Sequence, residues 1–512
     1  MLVWESIKCW AEAAPLRTSI APLNYRELKD AVERCYQSLP ALAGKRVGLL
    51  MGNRPLWGIC DIALTLKGAF VVPIPTFFST EQVEHIIKDS GIDTLVVDSE
   101  ERVSSKEMNA LFARINLIQA DPSLETPGRE PAEPCTIEDL SDLDRVTKVI
   151  YTSGTTGKPK GVMVTLKGVE AVTKSLIERS GTTMSDRHLS LLPLSTLVEA
   201  IGGLYRLIAA GATVIYPKTA FPPENILFNP EGLTRIVKES APTTLNLVPS
   251  LLKAMLADAK ERQDMPSTLR FAACGGAPLS SKLRNRAAEL GVPLFEGYGL
   301  SECSSVVALN GAGMKKAGSV GKVLFHAGVT ISDEGEIMVY GPGVMAGYTN
   351  GNNCGLKELP TGDMGYIDDE GYLFVTGRKD NLILTGQGRK VSPEWVEKSL
   401  TASEAVSQAM VYGNEMGEVA AVIVPDEEWL EEALKWASSS GDILKTAVAE
   451  AQESMPEYAR VSEIILCTEP FSAENGFLGP DGRLNRKNIL SALKEGNKSE
   501  LVGSEKSMMA VA

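Results

Sequence analysis

Apolar positions along this chain recur with two periods, and the periods alternate. Residues 25–39 place apolar side chains at helical spacing, 47–51 form a short apolar run, 56–66 are helical again, and 70–73 run apolar. A helix at 81–89 and a strand at 94–97 continue the series. Such alternation predicts an α/β fold with a largely parallel sheet. Residues 98–146 are polar, with Pro122, Pro127, Pro131 and Pro134, and are expected to wander over the surface before the sheet resumes at Val149. A second α/β pass covers about 190–300, with strands at 213–216, 244–247, 271–274 and 293–296. The last two end on Gly275-Gly276 and Gly297, and strands ending in glycine turns suit ligand sites at the carboxyl edge of a sheet. From 319 to 363 the pattern changes to short strands and glycine turns. A new unit begins near Asp380, with a helix from Trp395, a strand at 419–424 and a charged helical stretch at 427–452. Residues beyond about 496 are expected to be disordered.

Length and composition narrow the class. A chain of 512 residues is too long for one ordinary core, so two or more domains are expected. The formal charge of −14 argues against a nucleic-acid binder, though a local basic site can still take an anionic substrate. The eight cysteines include no CxxC pair and there are only three histidines, so reduced thiols are expected and a zinc or disulfide framework is not. The N-terminus has an early acid and no basic segment, so no signal peptide is expected and the location is read as cytoplasmic. The most apolar stretch, 189–216, is interrupted by Pro193, Glu199 and Arg206; it reads as a buried helix between strands, not a transmembrane span.

The densest chemistry lies in Tyr151-Thr-Ser-Gly-Thr-Thr-Gly-Lys-Pro-Lys-Gly161. Hydroxyls, glycines and two lysines stand between the apolar runs Val149-Ile150 and Val162-Met-Val164, which reads as strand, tight loop, strand. Glycines let the loop turn its N–H groups inward, and hydroxyls and ammonium groups add donors for phosphate oxygens. The loop is not a Walker A motif, because Gly154 and Gly157 are too close and Lys158 is followed by Pro159.

These residues resemble the phosphate-loop signature of the adenylate-forming enzymes, which include acyl-CoA synthetases, nonribosomal peptide adenylation domains and luciferases. Further segments match in the family's order: Tyr25-Arg-Glu-Leu28, Lys67-Gly-Ala-Phe-Val-Val-Pro73, Glu296-Gly-Tyr-Gly-Leu-Ser-Glu302, Thr361-Gly-Asp363, Gly377-Arg-Lys-Asp380 and Gly388-Arg-Lys-Val-Ser-Pro-Glu394. Pro470-Phe-Ser-Ala-Glu-Asn475 is similar to the long-chain fatty acyl-CoA synthetase branch. The resemblance implies a large N-terminal domain over 1–379, with two α/β subdomains and a β-rich distorted barrel. It implies a small mobile α+β domain over 380–495 and a tail at 496–512.

It also implies a reaction in two halves. A carboxylic acid attacks the α-phosphate of ATP to give an acyl adenylate and pyrophosphate, and a thiol, usually of coenzyme A, then displaces AMP. Such chemistry needs charge neutralisation and positioning more than covalent help. By resemblance, Thr152, Ser153, Gly154, Thr155, Thr156, Gly157, Lys158 and Lys160 hold the phosphates. Glu302, with Thr156, ligates Mg²⁺ through oxygen. Tyr298 stacks on adenine between Gly297 and Gly299, where added bulk is expected to block approach; Glu296 opens that motif and Ser301 keeps a hydroxyl where threonine is usual. Gly275, Gly276 and Ala277 form the opposite adenine wall. Asp363 and Arg378 take the ribose, Asp380 is the hinge, and Gly386 and Gly388 fall in the loop used for thioester formation.

Two departures from the family pattern stand out. Leu192-Pro-Leu194 is followed by Ser195-Thr-Leu197 where an aromatic or histidine is common; nearby His188 reads as a structural hydrogen-bonder. By resemblance, Arg483 occupies the position of the family's catalytic lysine and is expected to supply its charge; Lys487, a substitute if this end were helical, is expected to be a surface residue. The expected activity is a ligase forming a medium- or long-chain fatty acyl-CoA. Two alternatives stay open: transfer of the acyl group to an acyl carrier protein, and a nucleotide-binding regulatory protein that has lost catalysis.

Overall fold

The structure, a computed structural model, describes residues 1–99, 112, 115–133, 135–137, 141–152, 159–217, 232–259, 262–433, 440–467, 469–472, 474–479, 484–494 and 508–510. It divides into two compact units: Met1–Gly276 with Glu289–Thr330 and Met338–Leu359, and Ala277–Ala288 with Ile331–Ile337 and Pro360–Ala512.

The first unit carries two sheets. One is built from β1 (Arg46–Leu50), β2 (Phe70–Pro73), β3 (Thr94–Val97), β4 (Asn116–Gln119), β5 (Val146–Thr152) and β6 (Lys160–Thr165). Strands β1 to β5 pair in parallel in the order β5-β2-β1-β3-β4; β6 runs antiparallel to β5, and Gly347–Tyr348 adds an antiparallel edge beside β6. The other is built from β7 (Arg187–Leu189), β8 (Thr213–Ile215), β9 (Thr244–Leu247), β10 (Phe271–Cys274), β11 (Leu294–Leu300), β12 (Ser305–Leu309) and β13 (Lys322–Val323). It is parallel from β8 through β11 and antiparallel from there to β13. The α/β architecture expected from the alternating periods is present.

Local chemistry sets the helix ends. Helix Tyr25–Ser38 starts on a capping box in which Asn24 and Glu27 hold each other's backbone N–H. Helix Thr80–Ser90 starts on a second, Ser79 with Gln82, and stops at Gly91, whose φ of 66° is left-handed. Helix Pro55–Leu66 is buried along its length, and its first turn is capped from a distance: the Glu125 carboxylate accepts from Leu56 N at 3.1 Å and from Arg54.

Three expectations need correction. The stretch 98–146 contains β4, which continues the parallel sheet, so it does not simply wander. The strand expected to end at Gly297 runs on to Leu300. The buried helix within 189–216 is not α-helical throughout: Ala200–Tyr205 is π-helical, and Gly203, lacking a side chain, leaves room for the Glu199 carboxylate. His188 there is fully buried between Thr244 Oγ1 at 2.9 Å and Glu199 Oε1 at 3.2 Å, as a structural residue is.

In the second unit, the antiparallel strands Glu358–Ile367 and Leu373–Arg378 precede a three-residue 3₁₀ turn, Lys379–Asn381. A small hairpin, Ile383–Leu384 with Lys390–Val391, follows. Strands Val406–Gly413, Val419–Pro425 and Glu463–Leu466 then pack with helices Pro393–Leu400 and Ser440–Ala451 around a core that includes Val396, Leu400, Val411, Ile423 and Val448. Of the tail, Met508–Ala510 is described, and it pairs antiparallel to Glu463–Leu466. Among the described residues all cysteines are free, no group of three or more acidic, histidine or cysteine side chains is placed to hold a metal, and no helix is long and apolar enough to cross a membrane.

The root of the β5–β6 hairpin rests on a buried ion pair. Lys148 of β5 bonds Asp61 of helix Pro55–Leu66, both essentially inaccessible, and Tyr205 donates to the same carboxylate. Burial next to Asp61 raises the Tyr205 phenol well above its ordinary range. Breaking a buried pair by removing one partner strands the other charge. Asp61→Ala is therefore expected to lower stability in chemical denaturation by about 3–5 kcal/mol, and Asp61→Ala with Lys148→Met to recover part of that loss; a single variant within about 0.5 kcal/mol of wild type contradicts it.

Candidate active site

The loop singled out in the sequence is a hairpin loop. The β5–β6 register places Thr152 directly opposite Lys160, so the intervening residues leave and return at adjacent positions. Ser153, Gly154, Thr155, Thr156, Gly157 and Lys158 lie outside the described residues. The flanks are held firmly. His85 of helix Thr80–Ser90 bonds Pro159 O through Nε2 at 2.8 Å. Tyr151 donates to Asp89 Oδ2 at 2.6 Å, and Thr349 donates to the same oxygen at 2.6 Å. Burial, with Asp89 beside it, pushes the Tyr151 phenol up and keeps it a donor. A Cβ on Gly161 would come within 2.6 Å of Thr349, so the close approach of these strands requires glycine there.

Glu302 is tied to this hairpin. It sits in the turn Ser301–Cys303 after β11; its backbone O accepts from Met345 N at 2.8 Å and its Oε1 from the Tyr348 hydroxyl at 2.9 Å. Tyr348 lies on the edge strand beside β6, and exposed Lys160 places its ammonium 5.9 Å from the Tyr348 ring centre. The second Glu302 oxygen has no partner among the described residues. Ser301 heads the same turn.

The adenine candidates lie on β10 and β11. Glu296, Gly297, Tyr298 and Gly299 are consecutive in β11, with a register shift between Tyr298 and Gly299. The reason for the glycines differs from the one expected. A Cβ on Gly299 would meet Ser305 O at 1.8 Å and on Gly297 the Leu309 side chain at 2.8 Å, so both keep β12 close; they do not serve only to clear a ligand. Gly275 faces Gly297 O in the same way, at 2.9 Å, and Gly276 follows with a left-handed φ of 86°. Ala277 begins the stretch assigned to the second unit.

In the second unit, Asp363 is part of strand Glu358–Ile367, not of a turn, and stands opposite Arg378. Arg378 Nε lies 3.0 Å from Asp363 Oδ1 and its Nη1 donates to Thr361 O at 3.0 Å. Gly362, with a φ of 72°, gives its N–H to Glu336 Oε1 at 3.0 Å. Asp380 is exposed in the turn after Arg378. Gly386 N donates to Gly417 O at 2.8 Å, and Gly388, at a φ of 74°, closes the small hairpin. Arg483 lies outside the described residues. Helix Arg486–Lys494 starts after it, and Lys487 in its first turn is exposed.

Sequence reasoning missed His85, Asp89, Glu336, Tyr348, Thr349 and Lys379. Their partners are distant in the chain, and Asp89 and Thr349 are 260 residues apart. Glu394 closed a quoted motif without a role, and Arg486 was not singled out. Arg486 is forked onto Glu397 at 2.7 Å and reaches Glu394 at 3.3 Å, while burial lifts the Glu397 carboxyl to about 7 against the pull of that guanidinium.

Comparison with known proteins places this geometry. Residues 7–349 match the family described as AMP-binding enzyme, and residues 380–494 match the AMP-binding enzyme C-terminal domain. A 2-succinylbenzoate–CoA ligase of Bacillus subtilis is 32% identical over 414 residues, covering 77% of this chain and 80% of the relative. A long-chain-fatty-acid–CoA ligase of Mycobacterium bovis is 28% identical over 561 aligned positions, covering 95% and 90%. The structure of the Bacillus subtilis o-succinylbenzoate CoA synthetase in complex with its acyl-adenylate intermediate superposes with a TM-score of 0.76 at 26% identity, covering 94% of this chain and 97% of that one. The same enzyme has also been solved with ATP and a magnesium ion.

Because the Ser305 carbonyl leaves no room beside Gly299, Gly299→Ala is expected to force β11 away from β12, cost about 1–3 kcal/mol in stability and displace Tyr298. Thermal unfolding and nucleotide titration check this together; unchanged values in both contradict it.

Proposed function

The chain belongs to the AMP-binding enzyme family, and on that premise we propose that it is an ATP-dependent ligase joining a carboxylic acid to coenzyme A. In the first half-reaction the acid's carboxylate oxygen bonds the α-phosphorus of ATP and the bond to the β-phosphate oxygen breaks, giving acyl-AMP and pyrophosphate. In the second, the coenzyme A thiolate attacks the acyl carbon and AMP leaves. The observation that carries the reading is the β5–β6 pairing that sets Thr152 opposite Lys160, with a carboxylate, Glu302, bound to its edge strand through one oxygen.

In this reading the loop from Thr152 to Lys158, with Lys160, receives the departing pyrophosphate, as backbone N–H, hydroxyl and ammonium donors suit. Glu302 fits a hard cation, since Tyr348 occupies one oxygen and leaves the other available; Thr156 is the second oxygen donor. Magnesium bound there supplies neutralisation of phosphate charge. Asp363 accepts the ribose hydroxyls and Arg378 orients its carboxylate. Tyr298 stacks against adenine, with Gly275, Gly276 and Ala277 opposite. Asp380 is the pivot between a large domain over 1–379 and a small one over 380–495, and Gly386 and Gly388 serve the thioester step. Arg483 provides the cation between substrate carboxylate and α-phosphate.

The acid we propose is a medium- or long-chain fatty acid. The similarity of Pro470–Asn475 to that branch and the Mycobacterium bovis ligase's coverage of nearly the whole chain support it. The Bacillus subtilis relative favours a second reading, an aromatic acid of the succinylbenzoate kind. A panel of both acid classes with ATP and Mg²⁺ is expected to give pyrophosphate with the fatty acids, then AMP and a thioester on adding coenzyme A. Formation of ADP and orthophosphate contradicts the ligase reading, and turnover of the aromatic acids alone contradicts the fatty-acid one. A phosphopantetheine carrier protein run in parallel tests the acceptor.

Removing one transition-state donor typically costs about 10²–10³-fold in rate. Arg483→Ala is expected to lose adenylation by that factor yet still convert a supplied acyl adenylate to thioester, whereas Lys487→Ala changes neither. Near-normal pyrophosphate release by Arg483→Ala contradicts the assignment.

A further inference from the structure

The turn Lys379–Asn381 is clamped on both sides and free in the middle. On one side, Lys379 Nζ lies 2.8 Å from Glu336 and 2.9 Å from Glu334, and Glu336's other oxygen holds the Gly362 N–H beside Asp363. On the other, Asn381 Nδ2 donates to Glu394 Oε1 at 2.5 Å, and Arg486 Nη2 reaches the same oxygen at 3.3 Å. Asp380, between them, has no side-chain partner among the described residues. Several contacts cross it, Lys282 to Asp426 and to the Glu404 carbonyl among them, and two tie the strand before it to the start of the helix after it. Ser392 Oγ donates to Thr376 O at 2.6 Å, and the Arg378 N–H points to Glu394 Oε2 at 3.5 Å. The fit is close, for a Cβ on Gly377 would come within 2.0 Å of Ser392 Oγ and 2.6 Å of Glu394 Oε2.

We infer that Glu394 is a positioning residue that latches the pivot at Asp380 in one of the two settings that the half-reactions use. Rotation at Asp380 must break the Ser392–Thr376 and Arg378–Glu394 contacts, while the Lys379–Glu336 clamp and the Asn381–Glu394–Arg486 cluster travel intact with their own sides. Arg378 also partners Asp363, so the latch adjoins the candidate ribose site. A contact made in only one setting of the pivot serves one half-reaction and not the other. The inference rests on the ligase and pivot reading given above.

A helix-start acid that merely stabilises helix Pro393–Leu400 would affect both half-reactions alike. The test measures each half alone in the full-length protein: acid-dependent pyrophosphate release in a single turnover, and conversion of supplied acyl adenylate with coenzyme A. Glu394→Ala is expected to slow one of the two by about tenfold or more and the other by less than about twofold, with Glu394→Gln between it and wild type. Asn381→Ala, which leaves the helix start intact, is expected to repeat the selective loss more weakly and serves as the test if Glu394→Ala does not fold. Equal loss in both halves, or none, by the variant that folds overturns the latch. A wild-type protein that releases no pyrophosphate with any acid overturns instead the reading beneath it.

Discussion

One strand pairing organises the larger unit: β5 against β6, with Thr152 opposite Lys160. It fixes the two strand ends between which the proposed phosphate-binding residues lie in the sequence. Everything near it serves that register. Lys148 anchors the root of β5 to Asp61 in a buried pair, Tyr151 and Thr349 converge on Asp89, His85 holds the Pro159 carbonyl, and Gly161 lets the edge strand come close. Gly347–Tyr348 then carries the tie across to Glu302. A polyphosphate brings concentrated negative charge to a protein whose own formal charge is −14, so the donors must be preorganised rather than gathered by the general field.

The smaller unit repeats the logic with carboxylates. Asp363, Glu336 and Glu394 each join segments far apart in sequence, and each is met by a cation or a backbone N–H. Together with Arg378, Lys379 and Arg486 they bracket the turn at Asp380. If the proposed pivot at Asp380 is confined to one residue, these fixed contacts on either side are what it turns between.

Much of this was legible in the sequence, and the reasons for the rest are physical. The helices with caps, such as Tyr25–Ser38 and Thr80–Ser90, and the apolar strands β1, β2, β3, β9 and β10 follow from period and punctuation. Strand β4 escaped because Asn116 and Gln119 flank only two apolar residues at a half-exposed edge. The end of β11 was misplaced because its glycines read as a stop, whereas they are the condition for β12 to approach. Motifs singled out Glu302, Asp363 and Arg378 as candidates, since those depend on local strings. Tyr348, Glu336 and Lys379 depend on contacts closed only by the fold, and single-sequence periodicity carries no trace of them.

The central claim is that the acid's own oxygen attacks the α-phosphorus. The most direct measurement supplies a fatty acid labelled with ¹⁸O in its carboxylate, with ATP, Mg²⁺ and coenzyme A, and follows the label by mass spectrometry. Attack through the carboxylate and departure of AMP in the thioester step leave one labelled oxygen on the phosphate of AMP. Label found instead in orthophosphate, or AMP formed without any label, would contradict an acyl-adenylate route.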